Sequence, residues 1–307
     1  MPPLHVRTPL LESHALSDAT GSDVRVKLES VQPSGSFKIR GIGHACRTYA
    51  EQGATRFVAS SGGNAGLAVA YAGRKLGVPV TVVVPKSTTE RAKALIRDES
   101  ARVIVHGASW NEAHAQALSL MDDDEAAYLH PFDDPLLWEG HATIIDEIAA
   151  DGVAPDAVVV SVGGGGLFCG VVRGLRRHGW DDVPVVAVET TGADSLHAAV
   201  ASEHPVALDA ITSVATSLGA KQVGDQTFRL AQEHPTQSLV VSDAAAVEAC
   251  ARFLDDHRQL TEPACGAALA VAYQGHDALT DAQTIVVIAC GGAGVTLDRL
   301  RAWRDGL

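Results

Sequence analysis

One phrase recurs along this chain: a short run of β-branched residues, a glycine-rich or polar turn, then a segment with helical spacing. TRFVAS runs into SGGNAG and the apolar stretch LAVAYAGRKLG; VPVTVVVP precedes STTERAKALI; ARVIVHG precedes a helix that starts near Trp110. After the proline-bearing stretch HPFDDPLLWEGH, which reads as irregular, the phrase resumes with strands at DAVVVSV, VPVVAVE, SLVVSD and TIVVIAC. Strands that are apolar throughout are buried on both faces, as in parallel sheets. Their alternation with helices makes those sheets doubly wound, so the expected class is α/β. Upstream, VRVKL alternates apolar and polar residues, and Phe37 to Gln52 reads as a helix that Gly53 stops. Thr212 to Gly224 resists assignment. Thr296 to Arg304 forms the last helix, and no regulatory tail is expected after it.

With 307 residues, 46% of them hydrophobic, the chain can bury a full core. Single cores stop growing at roughly 250 to 300 residues, so two lobes are expected, with a boundary near His130 to Trp138. A formal charge of -13, from 24 Lys+Arg against 37 Asp+Glu, repels nucleic acid and anionic membrane surfaces alike. The cysteines Cys46, Cys169, Cys250, Cys265 and Cys290 form no CxxC pair, which argues against zinc or a disulfide framework and for a reducing compartment. MPPLHVRTPLLES lacks the apolar core of a signal peptide, and a cytoplasmic location is expected.

Ligands of such sheets gather at the carboxyl ends of the strands, where unusual loops stand. SGSFKIRG places Lys38 in the first turn of a helix. The helix dipole there is worth about 0.3 to 1 kcal/mol, less than one pKa unit. Desolvation in addition would leave the amine neutral and able to condense with a carbonyl; the alternative is an exposed lysine in a turn. SSGGNAG, Ser60 to Gly66, either cradles an anion such as a carboxylate with Ser61 and Asn64, or is a tight turn that Asn64 caps. SVGGGGLFCG holds Gly163, Gly164, Gly165 and Gly166 between strand and helix, an entropically expensive way to turn a corner. Something must approach that backbone closely, and a phosphate at the helix N-terminus fits. Glu189, on the next strand, imitates a dinucleotide fingerprint, yet no frame of G-x-G-x-x-G is satisfied and no GK[ST] follows. In IACGGAG, Cys290 at a strand end is either a small buried hydrophobe or a site residue. His130 and His141 read as packing or hydrogen-bonding residues, and the acidic run Asp122 to Glu125 as a solvated helix end.

Taken together, these loops resemble the L-serine/L-threonine dehydratases, pyridoxal-phosphate enzymes of fold type II in the tryptophan-synthase β family. The match runs from TPL at Thr8 through PSGSFKIRGIGHAC, PFDDPLLWEGHA, SVGGGGLFCGVVRGL, DVPVVAVET and EPACGAALA to VVIACGG. The resemblance implies two doubly wound open sheets in two lobes. Residues 1–34 and 135–307 would form the large cofactor-binding lobe, and 35–134 the small lobe carrying the lysine and the carboxylate loop. It implies that Lys38 and Ser61 are catalytic, with Lys38 both the Schiff-base anchor of pyridoxal 5'-phosphate and the base. Phe37 and Ser217 would flank the ring, Asn64 would meet its hydroxyl, Gly163 to Leu167 would hold the phosphate, and Cys290 would face the pyridine nitrogen. Ser61, Gly62, Gly63, Asn64 and Ala65 would hold the substrate carboxylate. A potassium ion would sit between Glu189 and the carbonyls of Gly163, Ala193, Leu218 and Ala220, and the enzyme would be a homodimer. The implied reaction eliminates water from serine to give pyruvate and ammonia, or from threonine to give 2-oxobutyrate. Gly62 and Ser217 depart from the alanines of the liver-type relatives. The rival readings are a β- or γ-replacing synthase of the same fold type, a non-catalytic phosphate-ligand sensor, and a nicotinamide oxidoreductase, which the failed glycine spacing weakens.

Overall fold

A computed structural model describes residues 2–121 and 125–307, so Asp122 to Asp124 of the acidic run lie outside the described residues. The chain opens with β1 (Leu10–Glu12), α1 (His14–Thr20), β2 (Asp23–Leu28) and α2 (Lys38–Glu51). Strand and helix then alternate through β3 (Arg56–Ala59), α3 (Asn64–Leu76), β4 (Val80–Val84), α4 (Glu90–Asp98), β5 (Arg102–Val105), α5 (Trp110–Leu118) and β6 (Ala126–Leu129). Next come α6 (Pro135–Ala150), β7 (Ala157–Ser161), α7 (Gly166–Arg177), β8 (Val185–Thr190), α8 (Ser195–Ser202), α9 (Asp225–Glu233) and β9 (Thr236–Val241). The last elements are α10 (Asp243–His257), α11 (Pro263–Tyr273), β10 (Thr284–Ala289) and α12 (Leu297–Gly306).

The strands form two open sheets, as the α/β reading expects. One has the order β5-β4-β3-β6 and is parallel throughout; the other has the order β1-β2-β10-β7-β8-β9, parallel except for β1 against β2. In the small sheet the two-residue period decides which side each side chain packs on. Phe57, Ala59, Val80, Val82 and Val84 face the core shared with α2 and α3, while Val58 and Val83 pack against Ala113 and Ala117 of α5. In the large sheet every residue of β7, β8 and α11 is buried, which explains their uninterrupted apolar sequence. Among the described residues no helix is long and apolar enough to cross a membrane.

Two expectations need correction. The stretch HPFDDPLLWEGH is irregular only as far as Asp134, whose side chain caps α6 by accepting from the Leu136 N–H; from Pro135 onward it is helix. Proline at the first helical position forfeits no hydrogen bond, so it starts this helix instead of breaking it. The new helix spans both cores, with Leu137 in that of the small sheet and Ile144, Ile145 and Ile148 in that of the large one. Second, the alternation in VRVKL does not turn Lys27 to solvent. Lys27 is fully buried, and its Nζ donates to Glu147 Oε2 at 2.6 Å and to the Thr8 carbonyl at 2.8 Å.

Lys27 belongs to a buried ionic hub that holds the start of α2. The Arg40 guanidinium donates through Nε and Nη2 to both oxygens of Glu29 at 2.7 and 2.8 Å. It also donates to both oxygens of Glu147 at 2.8 Å, to Thr143 Oγ1 at 3.0 Å and to Thr8 Oγ1 at 3.2 Å. The hub pairs two cations with two carboxylates, so it is neutral. It ties α2, which begins at Lys38, to α6 and to the segment that follows β2.

Candidate active site

The Ser34–Lys38 loop and the loop after β10 are pinned to each other. Phe37 N–H donates to the Cys290 carbonyl at 3.1 Å, Gly292 N–H donates to the Gly35 carbonyl at 2.9 Å, and Ser36 pairs with Gly291 as an isolated bridge. Lys38 is thereby set beside Cys290. Its Nζ donates to the Pro131 carbonyl at 2.6 Å and lies 5.0 Å from the centroid of the Phe37 ring. Desolvation lowers the Lys38 pKa to about 8, against the opposing pull of the Glu262 carboxyl. The amine is therefore partly neutral near physiological pH, the state that condenses with a carbonyl. His141 backs Phe37 with the ring centroids 4.9 Å apart; burial holds its imidazole neutral, and neither ring nitrogen has a hydrogen-bond partner among the described residues. His130 accepts the Phe132 and Asp133 N–H groups at Nδ1, the hydrogen-bonding role expected of it.

SSGGNAG joins β3 to α3. Gly63 occupies the cap position and Asn64 is the first helical residue, so Asn64 is not the helix cap. Its amide bridges to the large sheet instead: Nδ2 donates to Glu262 Oε1 at 2.7 Å, and Oδ1 accepts the Ala293 N–H at 3.2 Å. The Ser61 hydroxyl accepts the Gly63 N–H at 3.3 Å, while Gly62 lies under Thr88.

The tetraglycine loop is closely approached, by the protein itself. A Cβ on Gly163 would sit 3.0 Å from Leu218 Cα, on Gly164 2.3 Å from the Phe132 ring, and on Gly165 2.0 Å from Thr227 Oγ1. Gly165 also has φ +95, a left-handed conformation that glycine adopts freely. The N–H side is a separate matter. Helices α1, α4, α5, α6, α10 and α12 are capped by Ser, Thr or Asp side chains. Helices α2, α3, α7, α8, α9 and α11 have no side-chain cap among the described residues, and of these α2, α3 and α7 begin at the loops in question, at Lys38, Asn64 and Gly166. First-turn N–H groups have no intrahelical acceptor, so these three helices offer them to a ligand. Uncapped N-termini suit anionic groups, and the desolvated lysine between them suits a carbonyl. The site thus fits a phosphorylated aldehyde and an amino-acid carboxylate.

The neighbouring Cys265 thiol together with burial holds the Cys290 thiol well above its usual range. Cys290 is a neutral thiol. Glu189 is fully buried and accepts the first-turn N–H groups of Leu196 and His197 at 2.9 and 2.7 Å. Burial nonetheless pushes its carboxyl up to about 8. Gly163 lies against Leu218, and Ala193 pairs with Thr190 next to Glu189, while the Leu218 carbonyl accepts the Ala220 N–H at 2.7 Å. Among the described residues no group of three or more His, Cys, Asp or Glu side chains could hold a metal ion. A cation there would rely on carbonyls and the single carboxylate.

The sequence reading passed over Glu262, Phe132, Thr227 and Thr88. Only Glu262 had a local signal. It stands at the cap position of α11, ahead of Pro263 and an entirely buried helix, where Ser, Thr, Asp or Asn is usual. The other three reach the site through the fold.

The profile of a family described as pyridoxal-phosphate dependent enzyme matches residues 2–291. The chain is 50% identical to L-serine dehydratase/L-threonine deaminase of Homo sapiens over 315 residues, covering 99% of this chain and 96% of the relative. It is 43% identical to L-serine dehydratase of Dictyostelium discoideum, covering 97% and 91%. Among solved structures, a fungal L-serine ammonia-lyase from Rhizomucor miehei superposes with a TM-score of 0.93 at 37% identity, covering 98% of both chains. A lysine of lowered pKa set among uncapped helix N-termini is thus the local form of a likeness that spans the whole chain, which belongs to the family of pyridoxal-phosphate dependent enzymes.

Proposed function

We propose that this protein is an L-serine ammonia-lyase that also accepts L-threonine, releasing ammonia with pyruvate or 2-oxobutyrate, and that pyridoxal 5'-phosphate is its cofactor. The carrying observation is Lys38, an amine with a pKa of about 8 at an uncapped helix N-terminus, between an aromatic ring and a strand-end thiol. When bound, the cofactor supplies an electron sink for negative charge at the substrate α-carbon. Lys38 would anchor it and would serve as the base at the substrate α-carbon; a pKa near the working pH suits that role. Phe37 and Ser217 would flank the ring, and Asn64 would present its amide to the ring hydroxyl. The N–H groups of Gly163, Gly164, Gly165, Gly166 and Leu167 hold the phosphate. Cys290, a neutral thiol, would face the pyridine nitrogen and, as a weak partner, would leave it unprotonated, which would moderate the sink and favour prompt elimination. Ser61, Gly62, Gly63, Asn64 and Ala65 hold the substrate carboxylate at the start of α3, with Ser61 the second catalytic residue.

The same reading extends to the rest of the molecule. Glu189, buried without a cationic partner among the described residues, would serve a potassium ion together with the carbonyls of Gly163, Ala193, Leu218 and Ala220. Segments 1–34 and 135–307 form the lobe that binds the cofactor, and 35–134 the lobe that carries Lys38 and the carboxylate loop. The protein acts as a homodimer in the cytoplasm.

The test is a visible spectrum of the loaded enzyme, borohydride reduction and peptide mapping, then serine and threonine addition with keto-acid detection. Expected are absorbance at about 410 nm, a pyridoxyl tag on Lys38, keto acid from both substrates, and no turnover by Lys38→Ala. A tag elsewhere, or cysteine exceeding pyruvate when sulfide is added with serine, overturns the proposal.

A further inference from the structure

Glu262 is the buried acid that the elimination chemistry leaves without a role, although it touches the residues assigned to the cofactor. Its Oε1 accepts Asn64 Nδ2 at 2.7 Å, and Ser217 is a neighbour of the same carboxyl group. A Cβ on Gly292 would fall 2.2 Å from Glu262 Cδ, so the glycine pair after Cys290 gives this side chain its room. Its carbonyl accepts the Cys265 and Gly266 N–H groups at 2.8 and 3.0 Å, which fixes the residue to the first turn of α11.

A primary amide has two donors and one acceptor oxygen. In Asn64 the oxygen is taken by the Ala293 N–H and one donor by Glu262, so a single N–H remains. When ionised, a carboxylate is acceptor-only, so in that state it also forbids the flipped amide, which would set oxygen against oxygen. We propose that Glu262 is a positioning residue for the elimination, orienting the Asn64 amide so that its one free N–H faces the ring hydroxyl. The proposal rests on the cofactor reading given above. It also makes Glu262 a bridge between sheets, since Asn64 leaves the small sheet and α11 packs on the large one.

The test is a double-substitution cycle read as the cofactor dissociation constant, titrating each apo-protein with pyridoxal phosphate, with urea unfolding measured alongside. Glu262→Met removes the acceptor at similar volume and is expected to weaken cofactor binding about 10- to 100-fold, as for loss of a hydrogen bond to a charged group. Glu262→Gln keeps an acceptor for Asn64 and recovers most of that loss. In an Asn64→Ala background Glu262→Met adds less than about threefold, because the two residues act through one contact. If the wild type carries the reduced tag on Lys38 but Glu262→Met binds the cofactor as tightly, or its effect is fully additive with Asn64→Ala, the positioning role is wrong. Lowered urea stability with unchanged cofactor affinity has the same meaning. Absence of the tag from wild-type Lys38 instead sinks the cofactor reading, and this role with it.

Discussion

Substituting Arg40→Met tests whether the ionic hub, and not apolar packing alone, holds α2 in place. Arg40 and Glu29 have no exposed side-chain surface, and Glu147 keeps only 13%. Removing the guanidinium strands Glu29 with only Thr8 Oγ1 at 2.6 Å and Gln32 Nε2 at 3.1 Å as partners. Breaking one side of a buried pair costs about 3 to 5 kcal/mol, mostly the desolvation of the orphaned charge. With a urea slope of about 3 kcal/mol/M, the upper end for small proteins, the unfolding midpoint should fall by roughly 1 to 1.7 M. Glu29→Met with Arg40→Met removes a cation and an anion together and leaves the 2.6 Å Lys27–Glu147 pair closed. The double variant should therefore return to within about 1 kcal/mol of the wild type, because apolar residues replace a buried pair at little net loss. Urea titration followed by tryptophan fluorescence measures both. A midpoint shift below about 0.3 M for the single variant, or a double variant no more stable than the single, would refute the reasoning.

Gly62→Ala should raise the KM for serine, because its Cβ would stand 2.6 Å from Thr88 Cγ2 and 2.7 Å from Thr88 Oγ1; overpacking of this kind costs about 1 to 3 kcal/mol. Adding Thr88→Ala opens the space, and steady-state kinetics should show most of the loss restored; no rescue would mean that Thr88 is not the obstacle. Burial raises the Glu262 pKa from 4.5 to about 7, so between those values the folded apo-protein keeps a proton that the unfolded chain has released. That contribution is present below 4.5 and is lost as pH rises through 7, about 3 kcal/mol in all. The advantage of wild type over Glu262→Gln in urea stability should shrink by about 2 kcal/mol between pH 5 and 7.5, the remainder of the effect falling outside that window; histidine contributions are common to both and cancel. A constant difference would contradict the raised carboxyl.

The alternating strands and helices and the loops around Lys38, Asn64, Gly163 and Cys290 were legible in the sequence, because hydrophobic period and glycine placement are local properties of the chain. The helix through Pro135, the burial of Lys27 and the orientation of Asn64 were not. Each depends on groups far away in sequence: the two cores that α6 joins, Glu147 across the fold from Lys27, and Glu262 across the cleft from Asn64. Whether a charged side chain is solvated or buried is decided by the partner that compensates its desolvation, and only the folded chain brings that partner within reach. The same holds for the tetraglycine loop: its sequence announces a close approach, but the atoms that make it, from Leu218, Phe132 and Thr227, are supplied by segments that arrive through tertiary packing.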